Sequence, residues 1–252
     1  MAGSKKQRLD VLLVEKGFAE SRHQAKAMIM AGDVLVANQP ANKPGTQVSR
    51  DAAITVSKRC PYVSRGGIKL EGALKAFGLD VSGYTCMDVG ASTGGFTDCL
   101  LQHGAKKVFA VDVGYGQLAW KLRQDPRVVP IERTNIRYMP KEAIPCPVDL
   151  VTIDVSFISL KIVIPSVLPH IRQDGKILAL IKPQFEVGKG EVGKGGVVRD
   201  PTLRKKAVDE IAAWAKNHGL SCKEAVRSAI TGPKGNVEFF NMFSLDFYEN
   251  KD

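Results

Sequence analysis

Met87-Asp88-Val89-Gly90-Ala91-Ser92-Thr93-Gly94-Gly95-Phe96 is the stretch on which the fold turns. An apolar run leads into it, small residues follow, and an amphipathic segment, 96–103, comes next. Strand, glycine-rich loop and helix N-terminus is the order in which a parallel α/β sheet offers backbone N–H groups and the positive end of a helix dipole to a ligand. A second apolar run, Val108 to Val111, closes on Asp112, 22 positions after Gly90, a distance that suits an acid gripping ribose hydroxyls. The loop does not spell GxGxxG, so the dinucleotide fingerprint fails. A nucleoside-type ligand without a pyrophosphate fits better, and S-adenosylmethionine is the common one. A ligand-free glycine turn is the alternative for the loop alone, and Asp112 weighs against it.

Outward from this loop the chain alternates strand and helix. Val128 to Ile131 is a strand whose following loop holds Asn135. Asp149 to Asp154 and Lys176 to Ile181 are two more, ending in Asp154 and in Lys182-Pro183. Such alternation predicts a parallel sheet with helices on both faces, with chemistry gathered at the carboxyl ends of its strands. Asp154 and Lys182 both stand at such ends. A strand-terminal salt bridge is the plainer reading of either, and their shared edge argues for function. The ligand contacts expected are Asp88, Gly90, Ala91, Ser92, Thr93, Gly94, Phe96, Asp112, Val113, Asn135 and Asp154. Gly188 to Gly196 matches no phosphate-binding motif and reads as a mobile loop beside the site, a substrate lid. A helix is expected from about Leu203 to Asn217, and a strand over Val237 to Phe243. Glu238 would lie early in that strand, where an apolar setting demands a cationic partner. Lys69, off the stripe Leu70, Leu74, Phe77, reads by itself as a surface lysine.

The first 60 residues form a separate, basic module. Leu9, Leu12 and Leu13 make one helical stripe, with Gly17 placed to stop it, and Ala25, Met28 and Ile29 make another, with Gly32 as the stop. Ser21 and Gln24 have capping-box spacing. Arg22, His23 and Lys26 fall off the second stripe. Val34 to Val36 and Ala53 to Val56 read as short strands. Residues 1–69 hold twelve lysines and arginines against five acids, +7 of the chain's +10. Charge concentrated in this way suits contact with a phosphate backbone through counterion release, although a solvated charged face remains the alternative. Two short helices followed by a hairpin-rich unit resemble the αL-type RNA-binding module of a small-subunit ribosomal protein, tyrosyl-tRNA synthetases and pseudouridine synthases. The residues that carry this likeness are Arg8-Leu9-Asp10, Ser21-Arg22, Ala25, Ile29, Gly32-Asp33-Val34 and Lys43-Pro44-Gly45, with Asn38-Gln39 in place of the usual Asn-Gly. On this basis Arg8, Arg22, His23, Lys26, Lys43, Arg59 and Arg65 are the expected RNA contacts. A linker is expected over 61–66, then a catalytic domain over 67–252.

A hydrophobic share of 44% in 252 residues is ample for a core, and the +10 net charge points to a polyanionic partner. No run approaches the roughly 18 apolar residues that span a bilayer. Val11 to Val14 is too short for a signal-peptide core. The five cysteines, at 60, 86, 99, 146 and 222, have no metal-binding or Cys-x-x-Cys spacing. They read as reduced, mostly buried thiols of a cytoplasmic protein.

Nearly the whole chain resembles the TlyA (haemolysin-A-like) family of S-adenosylmethionine-dependent ribosomal RNA 2′-O-methyltransferases, whose catalytic domain is FtsJ-like. The markers are Ser64-Arg-Gly-Gly-x-Lys69-Leu70, Asp88 to Phe96, Asp112-Val-Gly-Tyr-Gly-Gln-Leu118, Asp154-x-Ser-Phe-Ile-Ser159, Lys182-Pro-Gln-Phe-Glu186, Gly195-Gly-Val-Val-Arg-Asp200 and Gly235-Asn-Val-Glu238. The resemblance implies a class I, Rossmann-like methyltransferase sheet with a small α+β N-terminal RNA-binding domain. It also implies a Lys-Asp-Lys-Glu tetrad, Lys69, Asp154, Lys182 and Glu238, acting on cytidines of ribosomal RNA in a ribosomal subunit. A sulfonium methyl is already activated, so no metal is called for. The enzyme must supply in-line placement and a destination for the hydroxyl proton. Lys182 is then expected as general base or alkoxide stabiliser, with the two carboxylates orienting the amines. Rival readings are a non-catalytic RNA-binding or ribosome-assembly factor, a membrane-active haemolysin and a nicotinamide oxidoreductase. The absent spanning segment and the failed glycine spacing weigh against the last two.

Overall fold

The computed structural model describes residues 6–30, 33–37, 39–41, 43–56 and 60–245. Arg59, the expected stop Gly32, the turn residue Asn38, and Ser57 and Lys58 lie outside the described residues. The chain divides into two compact units, 1–60 and 61–252.

In the first unit β1 (Lys6–Arg8), α1 (Leu9–Glu15), α2 (Arg22–Met30), β2 (Val34–Val36), β3 (Gln39–Pro40), β4 (Gln47–Ser49) and β5 (Ile54–Val56) follow in order. Strand β1 pairs antiparallel with β4, and β2 lies between β3 and β5. The stripes read from the sequence, Leu9, Leu12, Leu13, Ala25, Met28 and Ile29, close on Val34 and Val48 as one core. Gly17 takes a left-handed φ of +74° past the end of α1, the conformation that stops a helix most cheaply at glycine. Ser21 Oγ accepts the Gln24 N–H at 3.2 Å, while Gln24 Oε1 reaches one residue further back than the capping box requires, to the Glu20 N–H at 2.7 Å.

The second unit runs α3 (Gly66–Phe77), β6 (Thr85–Val89), α4 (Gly95–Gln102), β7 (Lys107–Val111), α5 (Trp120–Arg123), β8 (Val128–Ile131), β9 (Val148–Ile153), α6 (Leu160–Val167), β10 (Ile171–Ile181), α7 (Pro183–Glu186), α8 (Pro201–Lys216), β11 (Leu220–Cys222), β12 (Val226–Arg227) and β13 (Phe239–Leu245). The sheet order is β11-β13-β10-β9-β6-β7-β8. All pairs from β10 to β8 are parallel, and β13 is antiparallel to β10, β11 and β12. The chain works outward from β6 to β8, then returns to lay β9 on the other side of β6. The crevice between the carboxyl ends of β6 and β9 is therefore the switch point of the sheet, where such folds bind ligands. Period-2 alternation sends Met87 and Val89 into the core beneath α6 and α8, with Ile164, Val167 and Ile211. Asp88 points to the opposite face, where Thr97 of α4 donates to it.

Several expectations change. No linker runs over 61–66: Tyr62 is buried, the Val63 N–H donates to Asp98 Oδ2 at 2.7 Å, and α3 already begins at Gly66. The Val63 N–H is satisfied on α4 and the Pro61 carbonyl accepts from Gln102 of the same helix, groups that a free linker would leave to water. Glu238 precedes β13 instead of lying within it, and β10 begins at Ile171, five residues before the expected start. Cys86 and Cys99 are buried, Cys60 is half-buried, and Cys146 and Cys222 are exposed, so burial covers fewer thiols than expected.

Candidate active site

Two pockets meet at the carboxyl edge of the sheet. One, of about 540 Å³, fills the switch-point crevice and is lined by Gly90, Ser92, Asp112, Val113, Asn135 and Asp154 over apolar walls that include Ile136, Val155 and Val163. The second, of about 270 Å³, is lined by Lys182, Gln184, Phe185, Asn236 and Glu238 among others. Ser156 and Phe157 belong to both. The larger volume is typical of a small-molecule site.

The residue that follows β6 has no side chain, and the close approach of the β6 and β9 ends depends on it. Gly90 has φ +85°, and a Cβ there would stand 2.5 Å from the Asp154 carbonyl oxygen, a clash with backbone that no rotamer relieves. The Gly90 N–H donates to Val111 O at 2.9 Å, and the Asp154 N–H to Val89 O at 2.9 Å, so the three strand ends are tied together. Asp112 accepts the Ser92 N–H on Oδ2 and the Gly114 N–H on Oδ1, both at 2.7 Å. Each oxygen keeps a further lone pair toward the crevice. Asn135 Oδ1 accepts the Arg137 N–H at 3.1 Å. Ser92, Arg133 and Phe157 have positive φ without being glycine. Ser92 and Phe157 line the crevice, and Arg133 stands next to its Thr134. Strain of this kind persists where surrounding structure enforces it and gathers at functional sites.

The four charged residues form two ion pairs. Lys69 Nζ donates to Glu238 Oε2 at 2.6 Å, with both groups buried. Lys69 is carried there by α3, whose first turn lies against the start of α4. A Cβ on Gly95 would stand 2.2 Å from Ser64 Oγ and 3.0 Å from the Gly67 nitrogen, so only glycine permits this approach. Lys182 Nζ stands 2.6 Å from Asp154 Oδ1, an ion contact without hydrogen-bond alignment, and donates to Ser156 Oγ at 3.0 Å. Pro183 keeps Lys182 extended, so the residue leaves β10 without entering a helix. Lys182 and Glu238 thus share the smaller pocket, while Asp154 faces the larger one.

Not every expected contact lies in the crevice. Asp88 is fully buried, accepting from Thr97 Oγ1 at 2.7 Å and from Thr152 Oγ1 at 3.0 Å; burial raises its pKa to about 6. It supports the loop from beneath. Phe96 is buried against Phe240, Ala91 is buried, Gly94 packs under Leu118 and Leu122, and exposed Thr93 lies off the lining. Sequence reasoning misses Ser156, Phe157, Gln117, Thr134 and Gln184. In the first unit, Arg8 and Arg22 both grip Asp10, whose carboxyl they hold down at about 2, so part of their charge serves the fold. His23, Lys26 and Lys43 are exposed. Arg65 is exposed and donates to Thr231 O at 3.1 Å. Asn236 ties the glycine loop to the loop before β13, accepting the Val198 N–H and donating to Gly196 O.

The FtsJ-like methyltransferase model matches residues 62–244. The chain belongs to that family. An S4 domain model matches residues 7–54. The 16S/23S rRNA (cytidine-2′-O)-methyltransferase TlyA of Mycobacterium tuberculosis is 52% identical over 240 residues, covering 94% of this chain and 89% of its own. That relative places the chain in the TlyA group of the family. A solved Streptococcus thermophilus structure carrying the hemolysin name is 41% identical with a TM-score of 0.76, covering 97% of this chain and 90% of its own. A Listeria monocytogenes structure named as an S-adenosylmethionine-dependent methyltransferase has the same fold at 15% identity and a TM-score of 0.54, covering 73% of this chain and all of its own. Among the described residues no helix is long and apolar enough to cross a membrane.

Proposed function

We propose that the chain transfers a methyl group from S-adenosylmethionine to the 2′-hydroxyl of a cytidine in ribosomal RNA, in the cytoplasm. The observation that carries this reading is the meeting of a nucleoside-sized crevice and a smaller pocket at Ser156 and Phe157, with the Lys182–Asp154 pair spanning the boundary. The crevice fits the cofactor chemically: Asp112 offers lone pairs to ribose hydroxyls, and Val113, Ile136 and Val155 offer apolar cover for a base. S-adenosylmethionine, when bound, supplies an electrophilic methyl carbon on a sulfonium centre. The protein must then hold the hydroxyl in line and take up its proton. Lys182 is the group in reach of that oxygen. Asp154 and Ser156 hold the Lys182 amine, and Glu238, itself fixed by Lys69, bounds the pocket on its far side. Phe157, 90% exposed, gives an unstacked base a ring to lie against.

The first unit supplies RNA affinity through exposed His23, Lys26 and Lys43, with Arg8 and Arg22 contributing what their grip on Asp10 leaves. The test uses purified full-length protein, S-adenosylmethionine and ribosomal subunits from cells lacking the protein, with 2′-O-methyl positions mapped on the product. Wild type adds methyl groups at cytidines. Failure to modify any ribosomal ribose overturns the reading. Replacing His23, Lys26 and Lys43 with alanine weakens RNA binding across sequences and makes its salt dependence shallower, by about 0.7–0.9 in slope for each phosphate the protein ceases to neutralise.

A further inference from the structure

The smaller pocket contains a polar group that neither the fold nor the proton transfer uses. Gln184, two residues past Lys182 in α7, lines it beside Phe157, Lys182, Phe185 and Glu238. Its Oε1 is buried and has no hydrogen-bond partner among the described residues. A buried amide oxygen in this state has given up water and received nothing in return, so native proteins keep few of them without a reason. The rings of Phe157 and Phe185 pack on one another, with centroids 5.0 Å apart and planes tilted by 49°, and form an aromatic wall of the same pocket. Proteins that act on RNA bases take the nucleotide out of its stack and hydrogen-bond its Watson–Crick edge.

We propose that Gln184 is the base-reading residue of the acceptor pocket, its Oε1 accepting the N4 amino group of the cytosine whose ribose is methylated. This rests on the functional reading given above. Cytosine presents two N–H donors at the position where uracil presents the acceptor O4. With uracil, the glutamine oxygen would face a second acceptor and stay unpaired. The pocket then selects the base as well as placing the ribose, and both tasks fall to one short segment, Lys182 for the hydroxyl and Gln184 for the base.

The experiment maps the methylated cytidine with wild-type enzyme, then supplies RNA in which that cytidine is replaced by uridine. Single-turnover rates are compared for wild type, Gln184→Leu and Gln184→Glu, each checked for S-adenosylmethionine binding by calorimetry. Wild type should favour cytidine by about tenfold or more, the scale of one good base contact. Gln184→Leu, similar in size but without the acceptor, should lose rate on cytidine and bring the ratio toward one. Gln184→Glu, which can only accept, should keep the preference for cytidine. A Gln184→Leu enzyme that binds cofactor and keeps the wild-type ratio overturns the proposal and leaves the functional reading intact. A wild-type enzyme that transfers no methyl group to any cytidine overturns the functional reading and this proposal with it.

Discussion

The two ion pairs of the catalytic unit have the same N···O separation, 2.6 Å, and different surroundings. Lys69 and Glu238 expose 9% and 2% of their side chains and are joined by an aligned hydrogen bond; Lys182 and Asp154 expose 11% and 21%, and their contact lacks that alignment. Lys69 has committed its charge to one carboxylate. Lys182 is divided between Asp154 and Ser156 and faces a pocket. A closed pair fixes geometry, and an open one can exchange a partner or a proton. On the function proposed above, the first pair is the positioning pair and the second the one that takes part in the transfer.

Removing the open pair's amine gives the largest effect. Lys182→Ala should lower the single-turnover methylation rate by about 10²–10⁴-fold, the range spanned by positioned acid–base groups. Cofactor affinity by calorimetry and the midpoint of thermal unfolding should change little, because Asp154 keeps access to the water of the crevice. An equally large loss of cofactor binding would mean that the pair supports the crevice and takes no part in the transfer.

The closed pair should respond in stability. Glu238→Ala leaves the Lys69 ammonium buried without a partner, a change that costs about 3–5 kcal/mol where one member of a buried pair is removed. The double variant Lys69→Met, Glu238→Leu removes both charges at similar volume and should recover most of that loss in denaturant unfolding. Its methylation rate then sharpens the comparison. A double variant that is stable and as slow as Lys182→Ala would move the closed pair into the chemistry.

Much of this layout is legible in the sequence, and what is not follows from geometry. Asp154 and Lys182 stand where strands end, so the strand pattern alone puts them on one edge. Glu238 announces a need for a cation through its apolar neighbours, but the cation, Lys69, is 169 residues away and reads as a surface lysine on its own helix. Asp88 and Asp112 close similar apolar runs. Asp88 is the next-to-last residue of its strand and turns under α4, whereas Asp112 lies one position past its strand and turns into the crevice. Those two positions carry Asp112 past the edge of the sheet to line the crevice, while Asp88 stays a buried support. Phe157 and Gln184 carry no periodic signal, because a left-handed phenylalanine is set by its loop and the four-residue helix that holds Gln184 is too short for a period to register. Strands β1, β3 and β4, of two or three residues, are too short for alternation to register.

The smallest effect tests how far the open pair's charge reaches. Asp88 is fully buried, and its carboxyl is raised from 3.8 to about 6, first by burial and in lesser part by the charge of Asp154; hydrogen bonds from Thr97 and Thr152 pull the other way. The folded state therefore holds this proton more tightly than the unfolded chain does. The stability it contributes is fully present below about pH 4 and is lost as pH rises through about 6, amounting to on the order of 2–3 kcal/mol in all. Asp88→Asn cannot ionise, so urea unfolding between pH 4 and pH 7.5 should lack that decline, with one threonine hydroxyl still donating to the amide oxygen and the other turned to accept from the amide nitrogen. Asp154→Asn should keep the decline and shift its midpoint slightly downward, because one of the charges opposing ionisation of Asp88 is gone. Glu238→Gln gives the contrast: Asp154 is the carboxylate whose charge is felt most at Asp88, so the midpoint should move less than in Asp154→Asn. Equal shifts in the two variants would mean that the closed pair's charge is felt across the sheet as strongly as the open pair's, and the separation of their roles would fail on electrostatic grounds.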